Sequence, residues 1–201
     1  DGDLTTRALD FMRRQVEAEK PFFLYLPSTA THFPPIPSEE FAGKTGNGDW
    51  ADLLLQIDTY TGRLLDEVES LGVANETIFV FTADNGPEAL PSGQQPLTVK
   101  VPSGGTARPW RGTLFTGYEG ALRVPFAVRW PGHIPAGSVS NEMVHAMDLL
   151  PTLCALTGAE VPTDRPIDGV DQSAFLLGEQ PTPTREGFVV SMREQVFGVK
   201  R

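Results

Sequence analysis

The residues best suited to chemistry lie in one short segment, Thr82-Ala83-Asp84-Asn85-Gly86-Pro87. The Asp84 carboxylate and the Asn85 carboxamide offer two oxygen donors, which suit a hard cation such as calcium or magnesium. The same residue types also form a good turn, because Asn and Gly tolerate positive φ. From the residues alone, this segment predicts either a metal site or a simple turn.

The second candidate is His32, in the sequence Ala30-Thr31-His32-Phe33-Pro34-Pro35. An imidazolium can hydrogen-bond a sulfate or phosphate oxygen, or protonate a leaving group. The alternative is a surface histidine without a function. Cys154 lies among apolar helix residues, where a thiol is usually inert packing, so we assign it no catalytic role.

Both candidates follow short apolar runs that predict buried strands. His32 comes after Phe22–Leu26, and Asp84 comes directly after Thr77–Ala83. Neither run alternates apolar with polar residues, which is typical of strands covered on both faces of a sheet. Because open α/β sheets bind ligands at the carboxyl ends of their strands, we expect His32, Asp84 and Asn85 at one edge of one sheet.

Apolar stripes at helical spacing predict the elements that cover these strands. One helix covers Leu4 to Val16 and ends before Pro21, and a second runs from about Trp50 to Leu71, with Gly72 after it. Alternating helices and buried strands predict an α/β fold with a mostly parallel sheet covered by helices.

The rest of the chain predicts a change of architecture. Residues 84–112 form a long loop rich in Gly and Pro, of the kind that is usually functional or disordered. We predict the later part of an α/β catalytic domain over residues 1–159, and the start of a small antiparallel C-terminal subdomain over 160–201. The expected elements are a strand at 124–130, a helix at 148–158 capped by Asp148 and Gly158, and a hairpin of 187–191 with 196–199.

Composition excludes several classes of function. The chain of 201 residues has 16 Lys and Arg against 26 Asp and Glu, a formal net charge of −10, which would repel a nucleic acid. No stretch approaches the roughly 20 apolar residues that a membrane span needs. The single cysteine excludes an intramolecular disulfide. The chain begins at Asp1 without a methionine or a signal-peptide pattern, so we expect its natural start to lie outside this sequence.

Seven segments, taken in order, resemble the sulfatase family of the alkaline-phosphatase-like superfamily. Their order matters more than any one of them, because each segment alone is a weak signal. The segments are Lys20–Leu26 followed by His32, Ile57–Leu65, Thr77–Gly86, Tyr118–Phe126, Trp130–Gly132, Asp148–Leu153 and Asp168–Val170.

The resemblance implies a role for each matched residue. Asp84 and Asn85 would ligate a divalent cation, usually calcium, and His32 would contact the sulfate or the leaving oxygen. The nucleophile would be a formylglycine, which we expect, with the remaining metal ligands, in a missing N-terminal half of the same protein. The resemblance therefore predicts a periplasmic or secreted hydrolase of small-molecule or carbohydrate sulfate esters, and a chain that is inactive alone.

One position departs from the family pattern. Where the family commonly has a sulfate-contacting lysine three residues after the arginine of an Arg-Gly step, Arg111-Gly112-Thr113 is followed by Leu114. Either Lys100 compensates, or another residue binds the anion. The departure leaves two alternatives open: a phosphonate or phosphate monoester hydrolase of the same superfamily, and a non-catalytic binding protein on this fold.

Overall fold

The computed structural model describes residues 1–88, 105–192 and 194–201. The chain divides into two compact units, one of residues 1–77 with 84–124 and one of residues 78–83 with 125–201. The predicted boundary after residue 159 stays a prediction. The elements are helices α1 (Gly2–Glu17), α2 (Asp49–Ser70), α3 (Glu119–Leu122), α4 (Leu149–Thr157) and α5 (Ser173–Leu176), strands β1 (Phe79–Thr82), β2 (Phe126–Arg129), β3 (Phe188–Met192) and β4 (Gln195–Lys200), and 3-10 turns at Ala74–Glu76 and Ala146–Asp148.

The first unit is built on the contact between α1 and α2. Its buried apolar side chains recur at helical spacing, as the sequence predicts. A bidentate ion pair joins the two helices, because Arg13 Nε and Nη2 donate to the two Glu67 carboxylate oxygens at 2.8 and 2.7 Å. The two predicted helices are therefore confirmed. Their buried apolar residues are Ala8 and Met12 of α1 and Leu53, Tyr60, Leu64 and Val68 of α2.

A buried carboxylate holds the loop that precedes α2. Asp52 is 1% exposed and accepts hydrogen bonds from the Gly43 and Thr45 amides at 2.7 and 2.8 Å and from the Thr45 hydroxyl at 2.7 Å. These donors, led by the Thr45 hydroxyl, hold the pKa of Asp52 below its usual range although burial opposes ionisation. The loop is thereby attached to the first turn of the helix.

The structure differs from the sequence prediction in its strands. Phe22–Leu26 forms no strand in the described part of the chain, although the sequence predicts a buried one there, and Phe23 and Tyr25 are each 77% exposed. The β1 and β2 strands pair antiparallel, with Phe79 opposite Arg129 and Thr82 opposite Phe126. The sequence predicts a mostly parallel sheet, but this pair is antiparallel. The prediction could not distinguish the two, because an apolar run carries no information on strand direction.

The predicted C-terminal hairpin is confirmed. β3 and β4 pair antiparallel, with a register shift between Val190 and Ser191. The α4 helix is confirmed as well, and Gly158 follows it at φ 73°, the left-handed conformation that terminates helices. Among the described residues, no helix is both long enough and apolar enough to span a membrane.

The second unit is organised around a buried ion pair. Asp148 is fully buried and accepts hydrogen bonds from Arg185 Nε at 2.8 Å, from the Val170 amide at 3.0 Å and from the His145 amide at 2.9 Å. Gln172, also fully buried, donates to the same carboxylate at 3.3 Å. The sequence predicts that Asp148 caps α4. Asp148 does occupy the N-cap position, but its side chain makes no capping hydrogen bond to the helix, because these donors hold it elsewhere.

The titration of Asp148 reflects this environment. Burial favours the neutral acid, but the hydrogen bonds led by Arg185 outweigh it and hold the pKa of Asp148 below its usual range. A carboxylate with a depressed pKa stabilises the fold above the pKa of the unfolded chain, about 3.9, and loses that contribution as the pH falls through the folded value.

Replacing Asp148 by Asn is therefore expected to reduce the free energy of unfolding at pH 7 by about 3 kcal/mol, since it leaves the Arg185 charge buried and uncompensated. Urea unfolding measures the loss, and the gap between variant and wild type should shrink as the pH falls below about 4, because the unfolded wild-type chain takes up a proton there while the folded carboxylate stays ionised to lower pH. Asp164→Asn is the matched control, because Asp164 pairs with Arg165 on the exposed surface and should matter little. Equal effects of the two substitutions would contradict this account of the unit.

Candidate active site

The Asp84-Asn85-Gly86 segment is a turn that leaves oxygen donors free. The Asn85 amide donates to Asp84 Oδ1 at 2.8 Å, and Asn85 Nδ2 donates to the Gly86 carbonyl at 2.9 Å. No described residue donates to Asp84 Oδ2 or to Asn85 Oδ1, and Asp84 is exposed. The turn and the metal interpretations of the sequence are thus compatible, because the turn fixes the backbone and leaves two oxygens for a cation.

These two residues would supply only part of a metal shell. Calcium takes about 6–8 oxygen ligands, so Asp84 and Asn85 fit the type of donor it prefers and supply a minority of the number. In the part of the chain that the structure describes, no group of three or more His, Cys, Asp or Glu side chains is arranged to hold a metal ion. A calcium site at this turn would need further ligands from other residues.

Three glycines position the turn by allowing backbones to touch; we call Gly86, Gly112 and Gly120 the three-glycine contact. A Cβ on Gly86 would overlap the Gly120 carbonyl oxygen, and one on Gly120 would overlap the Gly112 carbonyl oxygen. Gly112 also has φ 90°, a conformation that side chains disfavour. Only glycine at these positions lets the three segments approach this closely.

Backbone hydrogen bonds join the same three segments. The Gly86 amide donates to the Ala121 carbonyl at 2.9 Å, and the Gly120 amide donates to the Arg111 carbonyl at 2.8 Å. The Leu114 amide donates to the Pro87 carbonyl at 3.0 Å. The segment from Arg111 to Leu114 therefore lies beside the Asp84-Asn85 turn, although more than twenty residues separate them in sequence.

Gly86→Ala is expected to destabilise the first unit by about 1–3 kcal/mol, because the added methyl group overlaps a backbone carbonyl that cannot move freely. Unfolding in urea measures this loss. Gly62→Ala is the matched control, since a Cβ at Gly62, inside α2, meets nothing within 4 Å and should stabilise by up to about 1 kcal/mol. A Gly86→Ala variant as stable as Gly62→Ala would show that the close approach is not needed.

His32 is exposed in its loop, and its ring has a defined tautomer. Nδ1 lies 2.6 Å from the Phe33 carbonyl oxygen, which can only accept, so Nδ1 carries the proton. The His32 amide donates to the Thr29 carbonyl at 3.0 Å. In the neutral ring, Nε2 is therefore the atom with a free lone pair, and in the imidazolium it is a second donor.

Two side chains anchor the His32 loop at both ends. The Asp1 carboxylate accepts hydrogen bonds from the Thr29 amide at 2.9 Å and from the Ala30 amide at 3.2 Å. Buried Gln56 of α2 accepts from the Ser38 amide at 3.0 Å through Oε1 and donates to Asp1 at 3.2 Å through Nε2. The Asp1–Gln56 pair thus fixes the entry and the exit of the loop to the helices.

Gln56→Leu is expected to release the exit of this loop, because leucine fills the space of glutamine but offers no acceptor to the Ser38 amide. Hydrogen exchange should show faster exchange of the Ser38 amide, by roughly fivefold if a net hydrogen bond of about 1 kcal/mol is lost. The control is Asp66→Ala, an exposed position of the same helix. Unchanged protection of Ser38 in Gln56→Leu would rule out this anchor.

The structure brings some of the predicted site residues together and leaves the position of others untested. Asp84, Asn85 and His32 belong to the same unit, and the first two form one turn beside Arg111–Leu114. No described hydrogen bond joins His32 to that turn, so their convergence on one ligand stays a prediction. Lys100 lies outside the described residues.

Sequence reasoning missed one feature near the turn, a pair of arginines that lie over aromatic rings. Arg111 Cζ is 4.2 Å from the centroid of the Tyr118 ring, and Arg123 Cζ is 3.9 Å from that of Trp110. Nothing in the spacing of these residues signals the contacts, because they arise from the three-glycine contact rather than from a helix or strand period.

Comparisons with known proteins agree with the resemblance seen in the sequence. The family model for Sulfatase matches residues 1–159. Human arylsulfatase A is 39% identical over 193 residues, 96% of this chain and 36% of that protein. The N-acetylgalactosamine-6-sulfatase of Canis lupus familiaris is 38% identical over 175 residues, 87% of this chain and 32% of that protein.

The crystal structure of the PsFucS1 sulfatase from Pseudoalteromonas sp. has a TM-score of 0.89 and 29% identity, covering 100% of this chain and 38% of that one. A likeness over the entire chain in both sequence and fold defines the class. The chain belongs to the sulfatase family, and it spans less than two fifths of each of these relatives.

Proposed function

We propose that the protein containing this chain hydrolyses sulfate esters, with Asp84 and Asn85 as part of its metal site. The observation that carries the proposal is the Asp84-Asn85 turn, whose two free oxygens are fixed by the three-glycine contact in a chain of the sulfatase family. Family membership supports sulfuric ester hydrolysis as the reaction, and the residue roles are those that the resemblance to the family implies.

Each residue has a task that its geometry suits. Asp84 and Asn85 would hold calcium, or another divalent cation such as magnesium, and this cation would neutralise charge on the sulfate group. His32 presents Nε2 to solvent while Nδ1–H is held by the Phe33 carbonyl. As an imidazolium it donates a hydrogen bond to an ester oxygen or a proton to the leaving oxygen. Lys100 stays a candidate for contact with the anion.

We further propose that the nucleophile, a formylglycine, lies in an N-terminal half of the same protein. Cys154 is an unsuitable nucleophile, because it is buried in α4 and its Sγ lies 3.8 Å from the Glu160 carbonyl. Nucleophilic catalysis needs the nucleophile and the cation in one place. The 201-residue chain by itself would therefore be inactive.

The fold supports a missing partner segment. Exposed Phe23 and Tyr25 lie within the apolar run Phe22–Leu26, which forms no strand among the described residues. Unpaired strand edges with apolar side chains favour pairing with further strands. We propose that the N-terminal half covers these residues and completes a mostly parallel sheet.

The substrate class follows from charge and family. A net charge of −10 disfavours binding of nucleic acid, whereas a few positively charged groups near the site are enough to bind a single sulfate group. The relative that is named N-acetylgalactosamine-6-sulfatase supports a carbohydrate or small-molecule sulfate ester as the substrate. Family membership also favours a periplasmic or secreted location.

Asp84→Ala in the full-length protein is expected to reduce kcat/KM for an aryl sulfate by at least about 1,000-fold, because a ligand of the charge-stabilising cation is removed. Cys154→Ala should leave kcat near the wild-type value and serves as the control. Chelation should abolish activity in the wild type, and added calcium should restore it.

The same assay separates the alternatives. Faster turnover of an aryl phosphate or phosphonate than of the aryl sulfate would reassign the protein to the phosphate and phosphonate monoester hydrolases, an outcome that Leu114 keeps open. Full activity in Asp84→Ala would remove this residue from the site. No turnover of any ester by the full-length protein would favour a non-catalytic binding protein.

A further inference from the structure

Arg111 has the features of an anion-binding residue. Its side chain is exposed, and its guanidinium lies 4.2 Å above the centroid of the Tyr118 ring, which is itself 46% exposed. A cation–π contact of this kind restrains a long side chain without using its N–H donors. Tyr118 therefore holds the charge of Arg111 in place and leaves its donors available.

The charge of Arg111 is also uncompensated. Seven arginines in the described part of the chain pair with carboxylates: Arg7, Arg13, Arg14, Arg63, Arg123, Arg165 and Arg185. Arg111 has no carboxylate partner among the described residues. Arg111 therefore differs from these paired arginines: its guanidinium is restrained by a ring and is available to bind an external anion.

Arg123 provides an internal comparison. It lies over the Trp110 ring in the same way, at 3.9 Å, but its Nε donates to Glu119 at 2.6 Å. That ion pair offsets its charge. Arg63, which lies over the Tyr60 ring at 5.2 Å, is likewise paired, with Glu40. Of the three ring-stacked arginines among the described residues, Arg111 is the one that can bind an anion without first breaking an ion pair.

The position of Arg111 links it to the candidate site. Its carbonyl accepts from the Gly120 amide, Gly120 contacts Gly86, and the Leu114 amide binds the Pro87 carbonyl. Arg111 is thus attached through backbone contacts to the segment that begins with Asp84 and Asn85. Leu114, by contrast, offers this region an apolar side chain.

We propose that Arg111, held on the ring of Tyr118, binds the anionic oxygens of the sulfate ester, an assignment that rests on the proposed function of the same site. A planar guanidinium donates two parallel hydrogen bonds to a tetrahedral oxyanion, which an ammonium group cannot reproduce. Arg111 would then take the role of the family's sulfate-contacting lysine, which Leu114 cannot fill because its side chain is apolar.

The test uses the full-length protein and the substitutions Arg111→Gln, Arg111→Lys, Tyr118→Phe and Tyr118→Leu. Arg111→Gln is expected to raise KM for an aryl sulfate and the inhibition constant of inorganic sulfate together, by about 10- to 100-fold. Arg111→Lys should recover part of the loss. Tyr118→Phe should behave as wild type because the ring remains, and Tyr118→Leu should weaken sulfate binding.

The matched control is Arg108→Gln, which removes the same charge from an exposed arginine in the same segment, one for which the described residues show no ring contact. Equal KM values in Arg111→Gln and Arg108→Gln would overturn the proposal for Arg111. The proposed function would not be affected by that result, provided that the wild type hydrolyses the aryl sulfate. A raised KM in Lys100→Gln but not in Arg111→Gln would assign the role to Lys100 instead.

If the wild type hydrolyses no sulfate ester, the proposed function fails and direct titration with inorganic sulfate and phosphate still decides the inference. Binding by the wild type that is lost in Arg111→Gln and kept in Arg108→Gln supports Arg111 as an anion-binding residue. Binding of equal strength in all three proteins, or in none of them, overturns it.

Discussion

The close approach of three backbone segments at Gly86, Gly112 and Gly120 is the constraint on which the candidate site depends. A side chain at Gly86 or Gly120 would occupy the volume of a neighbouring carbonyl group. Because these segments are tied by the Gly86–Ala121, Gly120–Arg111 and Leu114–Pro87 hydrogen bonds, the turn and Arg111 are placed by backbone rather than by flexible side chains. Such placement suits a site that must hold a small anion and a cation at fixed positions.

Two kinds of charged group differ in what they do in this chain. Asp52 and Asp148 are buried, and every contact around them attaches one segment of the chain to another. Asp84 and Arg111 are exposed, and each keeps donors or acceptors that no described residue satisfies. The first kind contributes to stability, and the second is available for ligands. His32 combines both, because its Nδ1 is committed to a backbone carbonyl while Nε2 is free.

The sequence predicts well what periodicity and turn chemistry encode. The α1, α2 and α4 helices, the hairpin of β3 and β4, and the polar turn at Asp84 all follow from local patterns, and each is found in the structure. The antiparallel pairing of β1 and β2 does not follow, because residue patterns indicate burial and not direction. The apolar run Phe22–Leu26 predicts a strand, yet a strand needs a partner that the described residues do not provide.

The contacts around the site were harder to anticipate, because they join residues far apart in the chain. Arg111 over Tyr118, Gln56 with Ser38, and Asp148 with Arg185 involve side chains whose partners no local pattern identifies. The resemblance to the sulfatase family supplied the roles of Asp84, Asn85 and His32, and where Leu114 replaces the family's lysine the sequence offered Lys100 as a candidate. Arg111 could be proposed for that role only from its charge and its contact with Tyr118 in the structure.

We propose above all that the Asp84-Asn85 turn is part of a cation site. A crystal structure of the full-length protein with calcium tests it most directly. The account predicts one calcium ion with Asp84 and Asn85 side-chain oxygens at about 2.3–2.6 Å, and further oxygen ligands from residues outside this chain. A calcium ion bound elsewhere, with the oxygens of both residues facing solvent, would contradict it.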